Sequence, residues 1–391
     1  MTIKHPWLIL LAVLIILAAG CAVIEIRDLP MAGNSTTVLN GTVNSGSAAG
    51  SCDGNTGTCS LPATGNTTYR TITDMAGRTV TLPANISMVL CTSPPPTTFV
   101  YMLAPEKLGS VSSNTTNATG QNLTSLSSTL SGSMKSGSTN YEAYIAMHPD
   151  LVFISCESGL TDPSATNLTQ EKFGTIPVVC VDNARNATGY GPTLLFMGDI
   201  LGVPDVAKEE DAYYQKVLDE VQTKVATIPE GKRVRVYYAE GTDGLSTDPS
   251  GSCHSQLIDV CGGINVATCE VSSGSGMTGI TKESVLMWKP DIIISSSKDF
   301  IAQAYNDSTW QRTPAVQNHR VYLIPTEPYN WFDRPPGVNR IVGIPWTAHI
   351  LYPDLFPDDW FRAKAKEFYS LFYHIDLSDE DLDNVLAQQV D

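Results

Sequence analysis

Residues 140–155 and 281–295 carry the same pattern, and no other feature restricts the fold so strongly. Each copy opens on a helix-capping residue, Asn140 or Thr281, and places a glutamate two positions later. Each then runs through a short mixed stretch into Pro-Asp, an apolar run and a serine. Glu142 stands seven residues before Pro149, and Glu283 seven before Pro290. Asn and Thr satisfy the free amides of a helix start, and an early glutamate is favoured there by the helix dipole. Proline disfavours helix in the residue before it, so the chain turns. Val/Ile-rich runs that follow such a turn read as strands buried on both faces, which is the habit of parallel sheets. One helix–turn–strand unit used twice predicts two α/β halves of related construction.

The stretch between the copies joins them. Pro204 is suited to a first helical position, and Tyr213, Val217, Val221 and Val225 recur every fourth residue. That spacing predicts a helix over 204–225, a rod of about 33 Å, stopped by Pro229. A hairpin is expected over 71–82 around Ala76-Gly77, strands at 86–91, 151–155, 178–182, 233–239, 291–295 and 320–324, and helices at 97–103, 141–147 and 255–261. The expected organisation is an N-terminal α/β lobe at 69–190, a linking helical segment at 191–228, and a C-terminal α/β lobe with a terminal helix at 229–391.

The N-terminus has the grammar of export. Lys4 and His5 precede thirteen apolar residues, 7–19, and then Gly20-Cys21. Thirteen helical residues rise about 20 Å, short of a hydrocarbon core of about 30 Å. Residues 1–21 therefore read as a lipoprotein-type signal, with Cys21 as the lipidated new N-terminus on the extracytoplasmic face of the membrane. The alternative is a retained anchor helix continuing through Ala22-Val23-Ile24. Residues 22–68 are rich in Gly, Ser, Thr and Asn without periodicity and read as a flexible stalk. Ten Asn-x-Ser/Thr sequons, from Asn34 to Asn306, suit an exported glycoprotein. Cys52 and Cys59 are expected to close a loop in the stalk, and Cys91 to pair with Cys156, leaving Cys180 as a buried thiol. Cys261 is expected to pair with Cys253 or Cys269.

Composition removes whole classes of function. There are 24 Lys+Arg against 40 Asp+Glu, a net charge of −16, and no basic run, so a nucleic-acid partner has no electrostatic footing. HExxH, CxxC, GxSxG and P-loop motifs are absent from the sequence. Gly274-Ser-Gly276-Met-Thr-Gly279 spells GxGxxG, but it follows a polar stretch and precedes the next helix by several residues, so it reads as a loop and not a dinucleotide site. No enzyme is expected. The segment Tyr329-Asn330-Trp331-Phe332-Asp333-Arg334 follows a predicted parallel strand, where α/β sheets bind ligands. Trp331 could stack on a flat ligand and Arg334 fork onto an anionic group, while Asp333 and Arg334 could also cap a helix begun by Pro335. His254 lies in a Gly/Ser-rich loop and reads first as a hydrogen-bonding group at a helix start.

Taken in order, 71–80 with 88–93, 140–155, 176–182, 257–267, 280–295 and 331–340 resemble the substrate-binding proteins of iron-complex and vitamin B12 ABC importers. The resemblance covers roughly 69–355. It implies two Rossmann-like lobes with parallel sheets, joined by one long helix, with a ligand cleft between them. It also implies a tethered protein that binds a metal chelate of iron-siderophore, haem or corrinoid type and hands it to an ABC importer permease dimer, with no cofactor of its own. On that resemblance Glu142 and Glu283 dock into basic permease pockets. Ser93, Pro95 and Thr97 of the first lobe and His254, Trp331 and Arg334 of the second contact the ligand, and His254 with Tyr329 or Tyr101 could complete a metal. Trp331–Arg334 and Cys261-Gly262-Gly263 match the B12-binding member, although its C-terminal disulfide partner has no counterpart here. A surface-exposed structural glycoprotein reusing the fold is the alternative.

Overall fold

A computed structural model describes residues 68–109, 140–157, 161–272, 276–334 and 336–387. The expected signal with Cys21, the stalk with Cys52 and Cys59, the polar loop at 110–139 and Pro335 lie outside the described residues.

The hairpin forms as expected: β1 (Tyr69–Thr73) pairs antiparallel with β2 (Thr79–Pro83). Its turn is closed by a buried ion pair, Arg78 Nη2 to Asp74 Oδ2 at 2.7 Å, whose two members also pin the hairpin to the first-lobe strand Val178–Asp182. The same guanidinium donates to the Val178 carbonyl, and the Asp74 carboxylate accepts from the Cys180 amide. Next come β3 (Val89–Cys91), α1 (Pro94–Leu103), α2 (Tyr141–Ala146), β4 (Leu151–Cys156), α3 (Pro163–Phe173) and β5 (Val178–Asp182). The three strands form a parallel sheet in the order β3-β4-β5. Helices α4 (Gly191–Leu201) and α5 (Pro204–Val225) then lead to β6 (Arg235–Ala239), β7 (Ser246–Thr247), α6 (Gln256–Val260), β8 (Ile264–Asn265), β9 (Thr278–Gly279), α7 (Lys282–Trp288) and β10 (Ile292–Ser295). After α8 (Lys298–Asn306), α9 (Pro314–Gln317) and β11 (Val321–Leu323), the chain ends in α10 (Arg340–Leu351), α11 (Asp358–Tyr373) and α12 (Asp379–Ala387). The second parallel sheet has the order β11-β10-β6-β8. Two parallel sheets separated in sequence by α5 make the two-lobed α/β fold that the sequence implied.

The repeat is structural as well as textual. Asn140 caps α2 by accepting from the Ala143 amide, and Thr281 caps α7 by accepting from the Ser284 amide. Each helix is left through a left-handed residue directly before the proline, His148 (φ +52°) and Lys289 (φ +47°). The following aspartates then tie down the start of a neighbouring segment: Asp150 Oδ2 accepts from the Ser87 and Met88 amides, and Asp291 Oδ2 from the Arg235 amide.

Alternation across the first sheet decides its cysteines and corrects the expected pairing. Cys91 stands in register with Phe153 and so shares its face, whereas Cys180 stands in register with Ile154. Cys156, two residues beyond Ile154, therefore points the same way as Cys180, and the two form the disulfide. Cys91 is a buried free thiol on the opposite face. Cys253, Cys261 and Cys269 are also free; the Cys261 thiol is buried against the Ile344 carbonyl of α10.

The lobes are clasped by Arg340 at the start of α10, which is fully buried. It donates to the carbonyls of Ala184 and Arg185, which follow β5, to the Cys253 carbonyl of the second lobe, and to the Tyr190 hydroxyl. Tyr190 in turn donates to the Gly337 carbonyl at 2.8 Å. No described helix is long and apolar enough to cross a membrane.

Candidate ligand-binding site

The polar residues of the second lobe gather beyond the ends of the parallel strands β6 and β11 and of β7, which pairs antiparallel with β9 in a separate small sheet. Glu240 directly follows β6, Asp248 follows β7, His254 lies just before α6, and the 329–334 loop follows β11. The loop is held rigidly by its own polar groups. Asn330 Oδ1 accepts from the amides of Phe332 and Asp333, both at 2.8 Å. Asn339 Nδ2 donates to the carbonyls of Tyr329 and Asn330, while the hydroxyls of Tyr369 and Tyr373 bond Glu327 and Asn339. At its end Arg334 takes a left-handed conformation (φ +53°), which is unusual for a residue with a side chain.

Asp333 is buried and binds His254, whose Nδ1 lies 2.9 and 3.1 Å from the two carboxylate oxygens. That bond, with a second donated to the Cys253 sulfur, outweighs burial and raises the His254 pKa from 6.5 to about 10. The imidazole is thus a cation at neutral pH, and its bond draws the neighbouring Cys253 thiol below its ordinary pKa. Arg334 bridges two further acids: Nε to Glu240 Oε1 and Nη2 to Asp248 Oδ2, each at 2.5 Å. Asp248 also accepts from Ser252 Oγ at 2.8 Å. Gly276, the middle glycine of the GxGxxG run, lies so close that a Cβ there would stand 2.2 Å from Asp248 Oδ1. That glycine serves a close backbone approach to an acid. Glu240 faces the Asp248 carboxylate; burial, opposed by Arg334, lifts its pKa from 4.5 to about 7.

Trp331 does not stand among these groups as a free stacking surface, and this corrects its expected role. It is fully buried, its ring against Phe361 and Tyr369 with centroids 6.4 and 6.1 Å away, and its Nε1 donates to the Glu327 carbonyl. Helix α10 lies directly on the loop, since a Cβ on Gly343 would stand 1.7 Å from the Trp331 carbonyl oxygen. The helix expected at Pro335 begins instead at Arg340, and Asp333 and Arg334 are engaged by His254, Glu240 and Asp248 rather than by a cap.

In the first lobe α1 starts at Pro94, three residues before the expected position. Its first three residues are prolines and have no amide hydrogens, so this helix start offers the dipole but few donors. Ser93, half-buried at the cap, lies 2.7 Å by its hydroxyl from that of Ser155, and Pro95 is half-buried beside it. Thr97 is buried and donates back to the Ser93 carbonyl, so its hydroxyl is spent within the helix. Tyr101 donates to the Tyr373 carbonyl, and Tyr329 is buried facing Thr98 of α1. Glu142 and Glu283 are exposed at equivalent positions on α2 and α7. Glu240 and Asp248 escaped sequence reasoning because they belong to no motif. Their one signal is position, an acid directly after a strand and another opening the Asp248-Pro-Ser-Gly turn.

Residues 89–328 match the family model described as periplasmic binding protein. The molybdate-binding protein MolA of Haemophilus influenzae is 26% identical over 332 residues, covering 78% of this chain and 91% of that protein. Among solved structures, an ABC transporter solute binding protein of Sulfurospirillum deleyianum is 30% identical with a TM-score of 0.71, over 81% of this chain and 99% of that one. A periplasmic solute binding protein of Veillonella parvula is 24% identical with a TM-score of 0.67, over 82% and 97%.

Proposed function

Because the chain belongs to the periplasmic binding protein family, we propose that it captures a metal chelate outside the cytoplasm and delivers it to an ABC importer permease dimer, tethered by lipid at Cys21. The observation that carries the ligand class is the charge balance at the strand ends. Three buried carboxylates, Glu240, Asp248 and Asp333, surround two cations, Arg334 and His254, and each cation is already paired. A bare dianion would have to compete with these acids for the same donors, whereas a chelate carrying its metal in a neutral or cationic shell would not. Ser93 and Pro95 supply the first-lobe side, Arg334 and His254 the second. Glu142 and Glu283 form the docking pair, acids repeated on two equivalent helices. A molybdate-type oxyanion is the second reading, favoured by the likeness to the Haemophilus protein.

One experiment tests both halves. Calorimetry of the wild type against a ferric siderophore, haem, cobalamin and molybdate should give binding to one of the chelates and none to molybdate. The Glu142→Arg/Glu283→Arg variant should bind that chelate equally well yet fail to support its uptake, because like charge meets the permease's basic pockets. Tight molybdate binding would replace the chelate reading, and normal uptake by the double variant would remove the docking assignment.

A further inference from the structure

The acids at the strand ends are arranged for more than holding Arg334. One ligand atom each from Asp248, His254 and Asp333 lies within 4.8 Å of the other two. That is about the widest separation two ligands of one small cation can have, twice a bond of about 2.0–2.4 Å. A fourth group points the same way. Glu240 is buried, its Oε1 is taken by Arg334, and its Oε2 has no hydrogen-bond partner. What Glu240 faces is the carboxylate of Asp248, and two buried carboxylates turned toward one another are relieved by a cation or a proton, a place now filled by the Arg334 guanidinium that bonds both. The acids are the fixed part of this arrangement, with side-chain exposures of 0–3%, and Arg334 is the accessible part at 26%.

We propose that Glu240, Asp248, His254 and Asp333 form a site for a bare divalent first-row transition-metal ion, which takes the place of the Arg334 guanidinium. Carboxylates with one imidazole are a donor set for manganese, iron, cobalt or zinc ions. Arg334 and protonated His254 are then the resident cations that keep the three buried acids neutralised until an ion arrives. On binding, Arg334 swings outward on its long, partly exposed side chain, and His254 releases its proton to solvent to become a neutral imidazole ligand. Ser252 Oγ holds the Asp248 carboxylate in position through the exchange, and Gly276 leaves it room. The inference rests on the chelate-binding reading and deepens it: the protein would accept the metal itself as well as its complex.

Titrating the full chain with Mn²⁺, Co²⁺ and Zn²⁺ alone, followed by calorimetry and by the visible spectrum of the cobalt form, tests the site. One ion should bind per chain. Asp248→Asn should weaken it at least tenfold, and Arg334→Gln should tighten it at least tenfold by removing the competitor. Near-ultraviolet circular dichroism confirms that each variant is folded. If neither the wild type nor folded Arg334→Gln binds an ion, the site is refuted. It is equally refuted if Arg334→Gln binds no more tightly than the wild type. Chelate titrations on the same samples separate the two readings: chelate binding without ion binding overturns this site alone, and ion binding without any chelate overturns the chelate reading alone.

Discussion

Removing the indole of Trp331 would take out a ring that closes the contact between the 329–334 loop and α11. Its neighbours Phe361 and Tyr369 are themselves fully or nearly fully buried, so the space would not collapse easily. Trp331→Ala is expected to cost about 3–5 kcal/mol of folding stability, as large aromatic truncations in cores do. Denaturant unfolding measures it. Unchanged stability with lost ligand affinity would return Trp331 to the role of a ligand anchor. The residue shows where a sequence stops being readable: an aromatic loop beyond a strand is marked plainly, but the covering residues lie thirty or more positions downstream. Cys91 teaches the same point at shorter range. Its location at a strand end was legible, whereas the face it shares with Phe153 depends on the register between strands, which spacing along the chain does not contain.

Among the elements, α5 was legible to its last residue because the proline start and the fourfold apolar spacing act locally, while α10 carries an apolar stretch whose periodicity is blurred by burial on nearly all sides. One residue of α5 breaks its pattern. Glu210 is buried, and neither carboxyl oxygen has a hydrogen-bond partner. Burial, with a smaller push from Glu209, raises its pKa well above 4.5. In the unfolded chain the group ionises near 4.5, so the folded state holds the extra proton above that pH. Its contribution is therefore most favourable in acid and is lost as pH rises from the unfolded toward the folded pKa. Glu210→Leu should stabilise the protein at neutral pH by about 1–3 kcal/mol and flatten this part of the stability–pH curve. Melting temperatures of both proteins between pH 4 and 8 test this, and a variant that tracks the wild type at every pH would show that Glu210 finds a partner.

At the scale of the whole molecule the two sheets look separable, each complete with its own copy of the repeated unit. Arg340 makes them inseparable. Its guanidinium is fully buried and donates to carbonyls and a hydroxyl from both lobes. Pulling the lobes apart would strip this cation of acceptors before water could fully replace them, a cost of several kcal/mol by the usual penalty for an uncompensated buried charge. The thermodynamic identity of the protein is accordingly that of one cooperative unit rather than two modules on a rod. A scanning calorimeter should record a single two-state endotherm for the wild type, and for Arg340→Met a broadened or split one in which each lobe melts on its own.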